Sequence, residues 1–358
     1  MNLPLLTISA RYGWMTQQSR FSASIAGREK KNYTLLKKHQ LSYNHGNSKV
    51  AIYGTVYELT DYDEALVPKV YHSFSLTPEN LSKFIEAYFH TKKLDAQLGK
   101  FIASTARMDG LLNISFDDFM KVKLFAPEQC EQSKISRIIN LIEKLITLQQ
   151  RKLEILIKLK RSFLTKSMAN SLDKNPELYF NSASVKWLKQ KLSDLTIKEF
   201  KGNTKLNDTK PGKTEYLDAE RLNGNVPLFI DKPINTLKSD ILILWDGSKA
   251  GSVYYGFEGS LGSTLKAIRL NPKLVNSFFV YQQLKSKQDV IFNKYRTPNI
   301  PHVIKNFTKV YPIYFPSMAV QNKIARFLGN LDTLIEIQQK SIKDHKVIKK
   351  YLLQKLFI

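Results

Sequence analysis

At 358 residues the chain is too long for one compact unit, given ~100–200 residues per domain, so two domains are expected. A composition 43% hydrophobic and 11% aromatic supplies enough apolar surface for real cores and excludes a wholly disordered chain. Lys and Arg number 55 against 31 Asp and Glu, and the net charge of +24 calls for an acidic partner, with nucleic acid the leading candidate.

The single cysteine, Cys130, cannot form an internal disulfide. The six histidines (His39, His45, His72, His90, His302, His345) lack zinc-ligand spacing, so no metal site and a reducing cytoplasm are expected. The opening MNLPLLTISARYGW has no basic n-region, and no run approaches the ~18–20 apolar residues of a membrane span. A membrane partner is not expected.

In chain order, Leu35 to Leu41 reads as a strand, followed by the polar loop Tyr43-Asn-His-Gly-Asn-Ser-Lys49 and a second β-rich run, Lys49 to Tyr57. Leu76-Thr-Pro78 opens a helical stretch. From Gln129 to about Met168 there is no Pro or Gly, and apolar residues recur at three-four spacing, which predicts a helix long enough at ~1.5 Å per residue to extend beyond a globular domain. The polar segment 169–184 reads as a linker. Asp240-Ile-Leu-Ile-Leu-Trp-Asp-Gly-Ser248 reads as a strand and tight turn, Leu270-Asn-Pro272 opens a second helical stretch, and Val320 to Ile358 forms a second long helix.

The chain repeats itself. Pro127 lies over Pro316, and the alignment continues without a gap through Gln132/Gln321, Lys134/Lys323, Arg137/Arg326, Ile146/Ile335, Gln149/Gln338, Lys160/Lys349 and Lys166/Lys355. Upstream, with a few residues gained, Leu76-Thr-Pro78 lies over Leu270-Asn-Pro272 and Phe84 over Phe278. A seam runs along each long helix: Ile139, Ile142, Ile146, Gln149, Leu153, Leu156, Lys160, Phe163 in one, and Leu328, Leu331, Ile335, Gln338, Ile342, His345, Lys349, Leu352 in the other. Two equivalent seams invite pairing of the helices as a coiled coil, and periodicity leaves its direction open. In an antiparallel pair Gln149 and Gln338 are expected to face each other and to fix the register.

No catalytic constellation stands out. Gly212-Lys-Thr214 lacks the first glycine and the leading strand of a phosphate loop. Asp194 with Glu199-Phe-Lys201 matches a metal-dependent nuclease site only loosely, and a solvated charged turn is the simpler reading. Better represented are Gly-punctuated loops carrying amide, hydroxyl and basic groups, the side chains that bond base edges and phosphates. These supply the candidate DNA-contacting residues Tyr43, Asn44, Ser48, Lys49, Arg107, Trp245, Ser248, Lys249, Ser263, Thr264, Arg296 and His302.

Asp240-Ile-Leu-Ile-Leu-Trp-Asp-Gly-Ser-Lys-Ala-Gly251, with Gly262-Ser-Thr-Leu265 and Ile300-Pro-His302, resembles the recognition-domain motifs of type I restriction-modification specificity subunits. Tyr43-Asn44, Arg107-Met-Asp-Gly-Leu-Leu-Asn-Ile-Ser115 and Pro127 to Gln132 are similar to another subtype of the same domain. The resemblance covers the chain and implies an α+β fold with an internal pseudo-twofold repeat. Residues 1–127 would be a first target-recognition domain, 128–168 a first long helix, 185–316 a second recognition domain and 317–358 a second helix, the helices forming an antiparallel coiled coil. It implies a DNA-specificity subunit without catalysis, reading one half-site of a bipartite double-stranded target per domain. Its partners would be two methylation subunits and a restriction subunit, which carry S-adenosylmethionine, ATP and Mg, so this chain itself needs no cofactor. The alternative is a stand-alone nucleic-acid enzyme or remnant, such as a nuclease fused to a recognition domain. The opening Trp187-Leu-Lys-Gln-Lys-Leu-Ser-Asp194 has no counterpart before Leu3-Pro-Leu-Leu-Thr-Ile-Ser9, so an incomplete first domain is expected.

Overall fold

The computed structural model describes residues 3–21, 33–46, 48–103, 111–168, 186–297 and 301–357. The expected linker, 169–184, lies outside the described residues. The chain forms two compact units, one of Met1–Arg151 with Gln339–Ile358 and one of Lys152–Gln338. Each long helix is therefore divided between them.

The first unit contains β1 (Leu6–Ser9), β2 (Gly13–Thr16), α1 (Gln17–Phe21), β3 (Tyr33–Lys37), β4 (Leu41–Asn44), β5 (Thr55–Glu58), β6 (Glu64–Pro68) and β7 (His72–Phe74). The short helices α2 (Ser82–His90), α3 (Asp95–Phe101) and α4 (Phe116–Met120) follow, and then α5 (Gln129–Ser167). β1 pairs with β2 and β3 with β6, while β4 lies centrally in the antiparallel order β5-β4-β7.

The expected strand Lys49–Tyr57 begins only at Thr55. Gly54 sits at φ +81°, and a Cβ there would meet the Asn44 carbonyl at 2.6 Å, so the chain turns tightly before β5 starts. The core gathers Leu41, Tyr43 and Val56 from the sheet with Phe84, Ile85 and Tyr88 of α2, Ile135 and Ile139 of α5, and Phe357. In this unit early α5 meets the carboxyl-terminal segment, and further along Glu143 pairs with Lys349 at 2.7 Å. The two helical segments therefore run antiparallel.

The second unit contains β8 (Leu188–Lys191), β9 (Thr196–Lys201), β10 (Pro211–Leu217), α6 (Ala219–Leu222), β11 (Phe229–Ile230), β12 (Ile241–Leu244), β13 (Val253–Tyr254), β14 (Ser260–Leu261) and β15 (Leu265–Leu270). After them come α7 (Ser277–Ser286), α8 (Gln288–Lys294), α9 (Phe307–Val310), β16 (Pro312–Phe315) and α10 (Met318–Lys355). Its main sheet has the antiparallel order β13-β12-β15-β9. A second sheet has the order β11-β10-β14, and β16 pairs with β8.

All four residues of β12 are buried because the strand is central, which explains its uninterrupted Ile-Leu-Ile-Leu. Late α5 packs against early α10 here, with Phe163 and Phe327 ring centroids 4.3 Å apart and Lys160 bonded to Asp332 at 2.5 Å. These segments are antiparallel too. In repeat register Lys160 corresponds to Lys349 and Glu143 to Asp332, so one acid–base pair occurs once in each unit.

One difference separates the halves. β16 is covered by β8, with the Lys189 ammonium 5.7 Å from the Tyr314 ring centre. The matching run Lys123–Pro127 of the first unit has no strand partner among the described residues, and Phe125, the counterpart of Tyr314, is 77% exposed.

Candidate nucleic-acid interface

In the second unit three loops distant in sequence converge. The Trp245 N–H donates to the Thr264 carbonyl at 2.8 Å, the Gly247 N–H to Pro301 at 3.0 Å, and the Val303 N–H to the Trp245 carbonyl at 2.9 Å. Asp246 and His302 form an antiparallel bridge. Gly247 has φ +107° with open space around it, so backbone conformation rather than crowding calls for glycine. Gly262 answers a different need: a Cβ there would lie 2.8 Å from the Leu217 carbonyl, and one on the facing Gly202 would lie 2.1 Å from the Gly262 carbonyl, because the backbones touch.

On this platform Ser248, Lys249 and Thr264 are exposed and Ser263 is half-buried. Among the described residues the Lys249 ammonium has no bonding partner. The Arg296 guanidinium donates to the Ser248 carbonyl at 3.0 Å and lies 5.3 Å from the Phe292 ring centre, so it braces the loop. His302 Nδ1 lies 3.0 Å from Thr297 Oγ1.

Trp245 is corrected from contact to core: it is buried, with the Lys266 ammonium 4.1 Å from its ring centre. Lys266 is in turn paired with Glu199. Sequence reasoning missed Lys201, which β9–β15 pairing places opposite Lys266 and whose ammonium bonds Asp246 at 2.6 Å.

The loosely nuclease-like residues do not assemble. The Asp194 carboxylate accepts from the Lys191 N–H and the Ser193 hydroxyl, while Glu199 accepts from Thr308 and pairs with Lys266. Among the described residues no group of three or more His, Cys, Asp or Glu is placed to hold a metal. Gly212 sits in β10, where a Cβ would collide with the Ile230 backbone.

The first unit corrects more of the candidates. Tyr43 is fully buried, its hydroxyl donates to the Tyr53 carbonyl at 2.6 Å, and its ring stacks on Phe119 at 4.4 Å, so it is a core residue. Asn44 spends its amide on the turn, donating to the Ile8 carbonyl and accepting from the Gly46 N–H, both at 3.0 Å. Ser48 accepts from the Ala51 N–H at 3.1 Å. Lys49 is exposed, and Arg107 lies outside the described residues.

Beside Tyr43, buried His45 bridges the Leu112 and Val70 carbonyls at 2.6 and 2.8 Å and stacks on His72 at 5.0 Å. Burial holds the His72 imidazole below its usual range. These histidines tie the 111–114 segment to the sheet.

The seam residues Ile139, Ile142, Ile146, Gln149, Leu328, Leu331, Ile335 and Gln338 are all buried or half-buried. Gln149 is half-buried in the first unit and Gln338 is buried in the second. Outside the seam both helices carry exposed aliphatic residues: Leu141 and Leu148 with Val347 and Ile348 in the first unit, and Ile155 and Leu159 with Leu334 and Ile337 in the second.

Residues 184–344 match the family model described as "Type I restriction modification DNA specificity domain". The type I restriction enzyme MjaVIII specificity subunit of Methanocaldococcus jannaschii is 32% identical over 165 residues, which are 45% of this chain. The chain spans 39% of that relative's length. Among solved structures, the S subunit of a type I restriction-modification system from M. genitalium superposes with a TM-score of 0.66 at 19% identity, covering 92% of this chain and 85% of the other. A chain from a structure addressing complex assembly and conformational transition of the type I system gives 0.52 at 12% identity, covering 96% and 86%. At these identities the likeness is one of fold.

Proposed function

We propose that this chain, which belongs through residues 184–344 to the type I restriction modification DNA specificity family, is the DNA-reading subunit of a type I restriction-modification complex. The observation that carries the reading is the convergence of Trp245–Lys249, Gly262–Thr264, Arg296, Thr297, Pro301 and His302 into one loop surface beside Lys201. Lys249, Ser248 and Thr264 present an ammonium and two hydroxyls there, groups suited to phosphate oxygens and base edges. A second half-site would be read by the first unit, with Lys49 among its contacts.

The chain's part is recognition. Base modification with S-adenosylmethionine and ATP- and Mg-dependent cleavage would belong to methylation and restriction subunits. The exposed aliphatic residues on the long helices support docking of two methylation subunits, because Leu148 and Ile337, and Leu159 and Ile348, are repeat equivalents and present two like surfaces. Such a protein acts on DNA in the cytoplasm.

Genome-wide adenine-methylation mapping with and without the gene tests the reading. A bipartite methylated motif should vanish on deletion, and an unchanged methylation pattern would refute it. Purified alone with magnesium and S-adenosylmethionine, the chain should neither cut nor methylate DNA; cutting would favour a nuclease instead.

A further inference from the structure

Between β9 and β10 the chain runs Lys201-Gly-Asn-Thr-Lys205, and exposure alternates along it: Lys201, Asn203 and Lys205 are exposed, while Gly202 and Thr204 are buried. That is the period of an extended segment, so the three exposed side chains project from one face. The buried pair is fixed to the neighbouring loop. The Gly202 N–H donates to the Leu265 carbonyl at 2.9 Å, the Thr204 N–H to the Leu261 carbonyl at 3.3 Å, and the Ser263 N–H to the Thr204 carbonyl at 3.1 Å. The Thr204 hydroxyl lies 2.9 Å from that of Ser260, and Gly202 has no room for a Cβ. Asn203 therefore stands on backbone held from both sides, beside the Ser263–Thr264 turn.

Its amide is unspent. Among the described residues neither the Asn203 side chain nor the Lys205 ammonium has a bonding partner, while Lys201 is held by Asp246. Asn235 shows the other use of such a group at this loop, its Oδ1 accepting from the Leu261 N–H at 3.0 Å. An amide with no structural duty, set between two cations, has the make-up of a base contact flanked by phosphate contacts. Asparagine offers an acceptor and a donor side by side. In the major groove adenine alone presents the matching pair, the N6 donor and the N7 acceptor, whereas guanine presents two acceptors.

We infer that Asn203 is a specificity-determining residue of the second unit, reading an adenine of its half-site through N6 and N7, with Lys205 on a neighbouring phosphate. The inference rests on the DNA-reading assignment and adds to it a residue, a base and a pair of atoms.

The test begins with adenine-methylation mapping of cells that carry the native chain and its methylation subunits, which gives the bipartite motif. Absence of any motif would end the DNA-reading assignment and this inference with it. Given the motif, Asn203→Ala should make one adenine position of one half-site degenerate and leave the others unchanged. Asn203→Asp, which keeps only acceptors, should shift that position toward cytosine. Anisotropy of the assembled complex on labelled motif duplexes then reads the atoms: 7-deazaadenine at that position should cost about tenfold in affinity with the native chain and nothing further with Asn203→Ala. Lys205→Ala should weaken binding evenly and keep the motif. An unaltered motif in Asn203→Ala, or the same 7-deazaadenine loss in both proteins, overturns the inference and leaves the DNA-reading assignment standing. So does a loss of methylation at every site alike, which would make Asn203 a structural residue.

Discussion

Gln321 begins α10 as a fully buried clamp. Its Oε1 accepts the N–H of Asn276 at 2.8 Å, and its Nε2 donates to the Pro316 carbonyl at 2.9 Å. Asn276 in turn caps α7, its side chain accepting from the Phe279 N–H at 3.0 Å. Gln132 repeats the device in the first unit, accepting from the Leu81 N–H at 2.9 Å and donating to the Pro127 carbonyl at 2.8 Å.

Gln321→Ala removes two hydrogen bonds, each worth ~1 kcal/mol net, and strands a donor and a carbonyl that cost ~1–3 kcal/mol when buried unpaired. Water entering the space freed at the helix start would recover part of this, so a loss of about 2–4 kcal/mol is expected. For a unit of this size that is a fall on the order of 10 °C in melting temperature. Urea unfolding of the full chain, followed by circular dichroism and Trp fluorescence, should show the transition of the second unit moving while that of the first stays in place. Gln132→Ala should do the converse. A change below ~0.5 kcal/mol in either variant, the scale of an ordinary surface substitution, would refute the clamp.

Lys249→Ala should weaken DNA binding about equally across sequences and reduce the slope of log affinity against log salt by about 1, read by anisotropy over a salt series. Tyr43→Phe should cost about 1 kcal/mol through the lost bond to Tyr53, with DNA affinity unchanged; a selective loss of affinity would return Tyr43 to the interface. Burial pushes the Glu86 carboxyl from 4.5 up to about 7, against the pull of Lys83, and burial with Lys349 holds the His90 imidazole from 6.5 down to about 4. Folded Glu86 binds more proton than unfolded, so its contribution fades as pH rises from 4.5 to 7. Folded His90 binds less, so its contribution fades as pH falls from 6.5 to 4. The two oppose each other in the window they share, and Glu86→Gln should expose a loss of stability on acidification that the native chain masks, measured by denaturation at stepped pH.

What the sequence disclosed followed what repeats and what is periodic. Both long helices, their shielded seams and the buried run Ile241–Leu244 were legible because side-chain spacing mirrors exposure. Tyr43 and Trp245 misled, since an aromatic residue beside a polar loop looks the same in sequence whether it faces outward or closes the core. Lys201 could not be placed at the loop cluster, because only the β9–β15 register brings it within reach of Asp246. The Glu58–Glu86 contact, with the Glu58 N–H donating to the Glu86 carboxylate at 3.0 Å, was hidden likewise: no spacing rule links a strand residue to a helix that follows it after two intervening strands.

The twice-occurring acid–base pair has a consequence for how a duplicated helix knows which way to lie. Each copy carries an acid toward its beginning and a lysine toward its end: Glu143 then Lys160 in one, Asp332 then Lys349 in the other. Laid side by side in the same direction and in repeat register, acid would stand against acid and lysine against lysine. Reversed, each acid meets a lysine, as Glu143 does Lys349 and Lys160 does Asp332. Copying one charged helix thus supplies a sense of direction without any further change of sequence: the duplicate is repelled by its twin in one orientation and complements it in the other.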